Sequence, residues 1–239
     1  MKRHVAVAMA MVSLATVAGE PRHDASGTIT LNGTPTKVHW SDGDSFKVRD
    51  GPFKGKGTRL VGYNTLEAFG PVHAWGEWKP EELFDIAAAS AEAAASQPWA
   101  CTTDGQQDGY RRLLVSCPKL AVEMVALGYG HAYAMDGQPA DPEVLEAQRQ
   151  AQRAKRGIWR RGVVKGILTS VHSLGESSDP TAGAYNRVVD TRTGEAQKRP
   201  HRQTYRTCEV VCEESEGDRS CMVYVPFEHR YRQKPACLR

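Results

Sequence analysis

The sequence has few long hydrophobic runs. One apolar run extends from Val5 to Ala18, and it is too short to cross a bilayer comfortably, so no membrane anchor is expected. The run follows the charged segment Met1–His4 and precedes Gly19, the order of regions found in a secretory signal. We therefore predict a signal peptide over residues 1–19 and a secreted or periplasmic protein. A buried N-terminal helix is the alternative.

Cysteine is absent from the early part of the chain. The first is Cys101, so no cysteine lies at the predicted cleavage site to receive a lipid. An even number in an exported chain predicts disulfides. A zinc site near His201 and His229 is the alternative, although paired C-x-x-C motifs are missing. The six cysteines are Cys101, Cys117, Cys208, Cys212, Cys221 and Cys237.

Neither sign of charge dominates the sequence, and it contains no internal repeat or low-complexity tract. The formal net charge of +3 permits a polyanionic ligand without requiring one. With 239 residues, of which 40% are hydrophobic, the chain can form one domain with a substantial core.

Short β-type segments separated by turn residues fill the region after a brief extension, residues 20–27. The turns Asn32-Gly33 and Asp42-Gly43-Asp44 predict tight connections between antiparallel neighbours. A second pair of strands is predicted over Trp99–Thr103 and Arg112–Cys117, facing each other so that Cys101 bonds to Cys117. The first strands are predicted at Thr28–Leu31, Thr36–Trp40, Ser45–Arg49 and Thr58–Tyr63.

Three helices are predicted from proline and cap signals. The first follows Pro80 and stops at Gln97-Pro98, the second covers Lys119–Leu127, and the third begins at Asp141-Pro142 and ends at Gly157. Beyond Trp159 the sequence becomes polar and turn-rich and contains four cysteines. We therefore predict a folded domain over residues 28–162 and a C-terminal extension over residues 163–239, in which those four cysteines pair.

Polar side chains in three short segments form a set suited to phosphodiester chemistry. The segments are Asp42–Asp44, Arg59–Glu67 and Asp108–Arg112. Oxygen ligands bind a hard cation, a carboxylate serves as a base toward water, and two guanidiniums can hold a phosphate. Each piece alone is weak, because such a turn is more often solvated and an isolated arginine more often forms a surface ion pair.

The order of these segments resembles the staphylococcal nuclease family. The resemblance covers about Lys37 to Trp159 and includes the closing motif Gly157-Ile158-Trp159. It implies an α+β protein built on a five-stranded OB-type β-barrel with about three helices. To this the sequence adds the disulfide-rich C-terminal extension.

The same resemblance implies roles for individual residues. Glu67 would be the general base, and Arg59 and Arg112 would clamp the phosphate. Tyr110 would lie beside the nucleotide, with Tyr133 as a weaker candidate for base stacking. The expected metal is calcium, held by Asp44, Asn64 and the carbonyl of Thr65.

Three positions depart from the family pattern. Asn64 replaces an aspartate, so a neutral amide replaces an anionic ligand and leaves the metal's identity open. Leu66 replaces a proline, and Arg111 replaces a glycine beside the second arginine. Arginine adopts the backbone conformations open to glycine less readily, so the turn at Arg111 is expected to change.

The expected function is metal-assisted cleavage of DNA or RNA with little sequence preference, by a monomer. The family resemblance implies 3′-phosphate products. One alternative is an OB-type module that binds nucleic acid or protein without turnover. Another is a secreted structural protein whose working part is the cysteine-rich C-terminal region. Retention of Asp44, Arg59, Glu67 and Arg112 together favours the enzyme, because binding alone does not need a carboxylate facing a phosphate.

Overall fold

The computed structural model describes residues 25–135, 137–177, 181, 183–230 and 236–238. The predicted signal peptide, residues 1–19, lies outside this part of the chain. The described residues form an α+β structure with three α-helices and many short strands. Within them, no helix is both long and apolar enough to cross a bilayer.

Proline and cap residues define the three helices. They are α1 (Pro80–Ala95), α2 (Pro118–Leu127) and α3 (Pro142–Arg153), each with proline in its first turn. At α3, the Asp141 side chain accepts a hydrogen bond from the Glu143 backbone N–H at 2.8 Å. All three predicted helices are confirmed to within a few residues.

The strands follow one another closely through most of the chain. The first five strands overlap the four predicted early segments. However, β1 begins three residues earlier, β2 is two residues longer at each end, and the fourth segment is split at Val61 and continues to Thr65. The strands are β1 (Ala25–Leu31), β2 (Thr34–Asp42), β3 (Ser45–Val48), β4 (Thr58–Leu60), β5 (Gly62–Thr65), β6 (Val72–Trp75), β7 (Ala100–Cys101), β8 (Leu113–Val115), β9 (Gly130–Tyr133), β10 (Gly166–Val171), β11 (Ala184–Asp190), β12 (Ala196–His201), β13 (Val210–Ser215) and β14 (Asp218–Val223).

Apart from β6, the strands in the first half of the chain form three small sheets, and single β-bridges join some of them to one another. Strands β3, β2, β1 and β7 form one sheet, β4 pairs with β8 in parallel, and β5 pairs with β9. Single bridges Lys47↔Gly57 and Thr102↔Ser116 add further links. The predicted strand pair around Cys101 and Cys117 is therefore joined by one bridge, while β7 and β8 pair mainly with β1 and β4.

The described part of the C-terminal region contains five strands and is hydrogen-bonded to the rest of the chain. Strands β10, β11 and β12 form an antiparallel sheet, and β13 and β14 form a hairpin. The outer edge of β14 pairs antiparallel with β6, in the register Ser220↔Trp75 to Val223↔Val72. Residues far apart in the sequence thus share one sheet.

Four apolar clusters fill the interior. The largest packs β1–β5 and β7–β9 against all three helices, with Trp40, Tyr63 and Met124 almost fully buried. A second cluster packs α1 against the segment around Trp159, and a third lies within the C-terminal sheets. The fourth, with Val72, Phe84, Val223 and Leu238, joins the two halves of the chain.

Three disulfides staple the structure. Cys101 bonds to Cys117, which confirms the predicted pairing. The other four cysteines pair within the C-terminal region, as predicted, through Cys208–Cys237 and Cys212–Cys221. Because these sulfurs are bonded to each other, they are not thiolates, and the alternative of a zinc site at this cluster is wrong.

Candidate functional site

The acidic turn between β2 and β3 holds two carboxylates at the edge of the core. The Asp42 side chain accepts a hydrogen bond from Ser45 Oγ at 2.5 Å, and Asp44 is 2% exposed. A Cβ atom at Gly43 would lie 2.7 Å from side-chain atoms of both Thr65 and Met124. Only glycine fits there, so the turn is held tightly against β5 and α2.

Arg59 extends from β4 to this turn. Its Nη1 atom lies 2.7 Å from Asp44 Oδ2, and its Nη2 donates to the side-chain oxygen of Asn64. Its guanidinium also stacks over the Tyr133 ring, 5.5 Å from the centroid. Burial alone would lower the pKa of Arg59, but the nearby carboxylate of Asp44 outweighs this and raises it.

Asn64 and Thr65 complete a compact group with Asp44. The Asn64 amide donates to the Thr65 carbonyl at 2.6 Å, and the Thr65 backbone N–H donates to Asp44 Oδ2 at 3.3 Å. Thr65 Oγ1 is buried without a hydrogen-bond partner among the described residues. The structure therefore brings the three predicted metal-binding residues together.

Glu67 lies half-buried at the rim of this group. Burial raises the pKa of its carboxyl group, and the charge of Asp44 raises it further, while Arg59, Arg230 and Arg112 act in the opposite direction. Glu67 is thus within electrostatic reach of both predicted phosphate-binding arginines. A carboxylate whose pKa is raised in this way is a stronger base than an exposed one.

Arg112 is oriented by the loop that precedes β8. Its Nη2 and Nε atoms lie 2.7 and 2.8 Å from Asp108 Oδ2, and its guanidinium stacks on the Tyr110 ring at 5.4 Å. Arg111 adopts φ 63°, so the turn keeps a left-handed residue without glycine. The loop therefore aims Arg112 while leaving part of its guanidinium open to a ligand.

The two predicted stacking tyrosines have different environments. Tyr110 is 66% exposed, whereas Tyr133 is 7% exposed and lies beneath Arg59. Tyr110 therefore presents the ring that a base can reach, and Tyr133 supports Arg59.

The sequence analysis assigned no role to three residues around the site. Burial raises the pKa of Asp42 well above its usual value, and the charges of Asp44 and Glu67 raise it further. His131 pairs with Asn64 across β9 and β5, its Nε2 atom 3.4 Å from the Asn64 amide. Arg230 comes from the C-terminal region. Only Asp42 carried a sequence signal, through its place in the acidic turn.

The donor set suits a hard divalent cation. Among the described residues, no three His, Cys, Asp or Glu side chains form a metal-binding group, so a cation would depend on the Asp44 carboxylate together with the Asn64 and Thr65 oxygens. Burial and then the charge of Asp44 raise the pKa of both Asp42 and Glu67, and a positive ion would relieve the repulsion among the three carboxyl groups. Thr65 Oγ1 is a buried oxygen without a hydrogen-bond partner among the described residues.

Comparison with known proteins does not assign a family. No protein-family model matches the chain, and no curated protein matches it significantly. The resemblance to staphylococcal nuclease therefore stays a prediction that depends on the motifs and on the placement of their residues.

Proposed function

We propose that the protein is a secreted nuclease of the staphylococcal nuclease type, which hydrolyses phosphodiester bonds of DNA or RNA with little sequence preference. The observation that carries this proposal is the meeting of Asp44, Arg59 and Glu67, with Arg112 in electrostatic reach. These residues come from separate segments, and each has a role in the same reaction.

The chain's own residues supply acid–base chemistry and phosphate binding. Glu67 accepts a proton from the attacking water, for which its raised pKa suits it. Arg59 and Arg112 donate hydrogen bonds to the phosphate and stabilise the negative charge that builds up in the transition state. Asp44 and Asp108 hold the two guanidiniums in place before the substrate arrives.

A divalent cation, calcium by the family resemblance, would be held by Asp44, the Asn64 side-chain oxygen and the Thr65 carbonyl. When bound, it would supply positive charge to the phosphate oxygens and lower the pKa of water. The neutral Asn64 makes the choice of calcium less strict than a carboxylate would.

We also propose that the first half of the chain forms an OB-type barrel. Hydrogen-bonded links run in turn through β2, β3, β4, β8, β7 and β1 and back to β2, which supports a closed ring. This ring has six strands, one more than the five expected of an OB barrel, because β1 closes it between β7 and β2. The three disulfides support export, and a monomer is proposed.

One assay tests the function. Full-length mature protein is incubated with supercoiled plasmid and with RNA, adding calcium, magnesium, manganese or chelator in turn. We expect cleavage of one or both nucleic acids that stops with chelator. Absence of cleavage with every metal, combined with retained oligonucleotide binding, would favour a binding module instead.

A further inference from the structure

The outer face of the C-terminal sheet presents an unusual set of side chains. Tyr185 and Arg187 alternate with the buried residues Ala184, Asn186 and Val188 along β11. Arg187 is the register partner of Lys198 on β12. Because side chains alternate along a strand and register partners share a face, Tyr185, Arg187 and Lys198 lie on the same side of the sheet. We refer to these three residues as the β11–β12 face.

The two cations of this face have no carboxylate partner. Neither Arg187 nor Lys198 forms an ion pair with any residue that the structure describes. Both lie over the Tyr185 ring, with Arg187 Cζ 5.2 Å and Lys198 Nζ 4.7 Å from its centroid. Like charges directly opposite each other destabilise a strand pair. An anionic ligand would remove that repulsion.

Contacts connect this face to the candidate active site. The Tyr185 ring lies 4.5 Å from His172, whose Nε2 atom is 3.4 Å from the hydroxyl of Tyr110. The Tyr110 ring in turn stacks on Arg112. A continuous series of rings and cations therefore runs from the proposed phosphate clamp onto the C-terminal sheet.

We propose that the β11–β12 face binds the part of a single nucleic acid strand that flanks the phosphate held by Arg59 and Arg112. A base stacks on the Tyr185 ring in place of the Arg187 and Lys198 side chains, which turn away from the ring to bind the flanking phosphates. This inference rests on the proposed nuclease function and assigns a role to the C-terminal region, which the barrel motifs leave open.

The chemistry of the face favours a nucleic acid over an acidic peptide. Alternation of aromatic rings with cations along a groove is the arrangement that binds single strands, because rings stack on bases of any sequence while cations follow the backbone. A peptide carboxylate would need only the cations. The contribution of the Tyr185 ring therefore separates the two ligands.

The test measures binding of a fluorescein-labelled oligothymidylate of about a dozen nucleotides by anisotropy across a salt titration. The full chain carries Glu67→Gln to prevent cleavage. Tyr185→Ala is expected to weaken binding ~5- to 100-fold, and Tyr185→Phe to retain it. The double variant Arg187→Gln/Lys198→Gln is expected to reduce the salt slope by about 0.7 for each lost phosphate contact.

Arg199→Gln is the matched control. Arg199 neighbours Lys198 on β12 but pairs with the buried Asn186, so its side chain belongs to the opposite face. Its loss removes one positive charge from the same strand as Lys198, so it matches half of the charge lost in the double variant. We expect affinity and salt slope to stay at the reference values, which separates contact at the face from the effect of net charge.

Three results would overturn the inference: unchanged affinity in Tyr185→Ala, an unchanged salt slope in the double variant, or equal binding of polyglutamate. If Tyr185→Ala fails to fold, the salt slope of the double variant Arg187→Gln/Lys198→Gln still tests the inference. Absence of cleavage by the wild-type protein would contradict the proposed function alone. The loss of oligonucleotide binding in these variants would still support the face as a strand-binding site.

Discussion

Among single residues, Asn64 is the one whose side chain most directly sets the proposed affinity of the site for a cation. Its oxygen accepts from Arg59 and its amide donates to the Thr65 carbonyl, so both ends are used inside the group. An aspartate would keep the oxygen toward Arg59 but would set a carboxylate against the carbonyl. The native amide therefore stabilises the folded protein when no metal is bound, but we expect it to bind a cation less tightly than an aspartate would.

The variant Asn64→Asp is expected to bind calcium more tightly than the wild type, because it adds a negative charge beside Asp44. Without metal it should be less stable, by roughly 1–3 kcal/mol, since a buried donor to the Thr65 carbonyl is lost. Calcium should restore that stability. Calorimetric titration with a nucleotide analogue and thermal unfolding with and without calcium measure both effects. Equal or weaker calcium affinity would show that residue 64 does not bind the cation.

At the scale of elements, β6 joins the two halves of the chain and contains a buried histidine. His73 is 1% exposed, and neither ring nitrogen has a hydrogen-bond partner among the described residues. Burial, helped by the charge of His131, lowers the pKa of His73 to about 3. The Leu168 carbonyl opposes this shift, although it does not reach hydrogen-bonding geometry.

This histidine predicts loss of stability in mild acid. The pKa of His73 is lower in the folded state than its ordinary value of 6.5, so below pH 6.5 the unfolded chain takes up a proton that the folded chain does not. The contribution to stability is present above pH 6.5 and falls as the pH drops from there toward about 3. At pH 5 the loss from this one group is about 2 kcal/mol.

His73→Phe should remove that part of the pH dependence while keeping the ring beside Trp75. Urea unfolding at pH 7 and pH 5 measures it, with His229→Gln, an exposed histidine, as control. We expect the wild type and the control to lose about 2 kcal/mol more than His73→Phe between the two pH values. The same loss in all three proteins would show that His73 does not titrate across unfolding.

Several elements could be predicted from the sequence because their signals are local. Proline at the start of each helix and the Asn32-Gly33 turn act within a few residues. The two strand segments predicted to face each other led to the pairing of Cys101 with Cys117. The pairing of β6 with β14 has no such signal. It depends on contact between segments far apart in the chain. Strands β11 and β12 are not predicted either, because the sequence after Ser170 is polar and rich in turn residues.

The candidate site shows the same division. The motifs brought Asp44, Arg59, Asn64 and Thr65 together as expected, because the turns and strands that carry them are close in sequence. Arg230 and the β11–β12 face reach the site only through the fold of the C-terminal region, so no spacing in the sequence indicates them.

At the scale of the whole molecule, the C-terminal region completes the sheet edge and the core of the first half. A chain that ends at Gly162 would leave β6 without β14 and expose Val72, which packs with Val223 and Leu238. We expect this truncated protein to be less stable by at least ~2 kcal/mol, the cost of exposing one large apolar side chain. Chemical unfolding followed by circular dichroism measures it. Equal unfolding midpoints for the truncated and full chains would contradict the mutual support of the two halves.

We propose that Glu67 and the two arginines carry out phosphodiester cleavage, and the single-turnover cleavage rate of an oligonucleotide measures their contribution. Glu67→Gln and Arg112→Ala should each slow cleavage by about 100- to 1,000-fold, while thermal unfolding changes little and oligonucleotide affinity falls less than the cleavage rate. Glu92→Gln, an exposed carboxylate on α1, is the control and should cut at the wild-type rate. Cleavage at the wild-type rate by both site variants would contradict the assignment of this site.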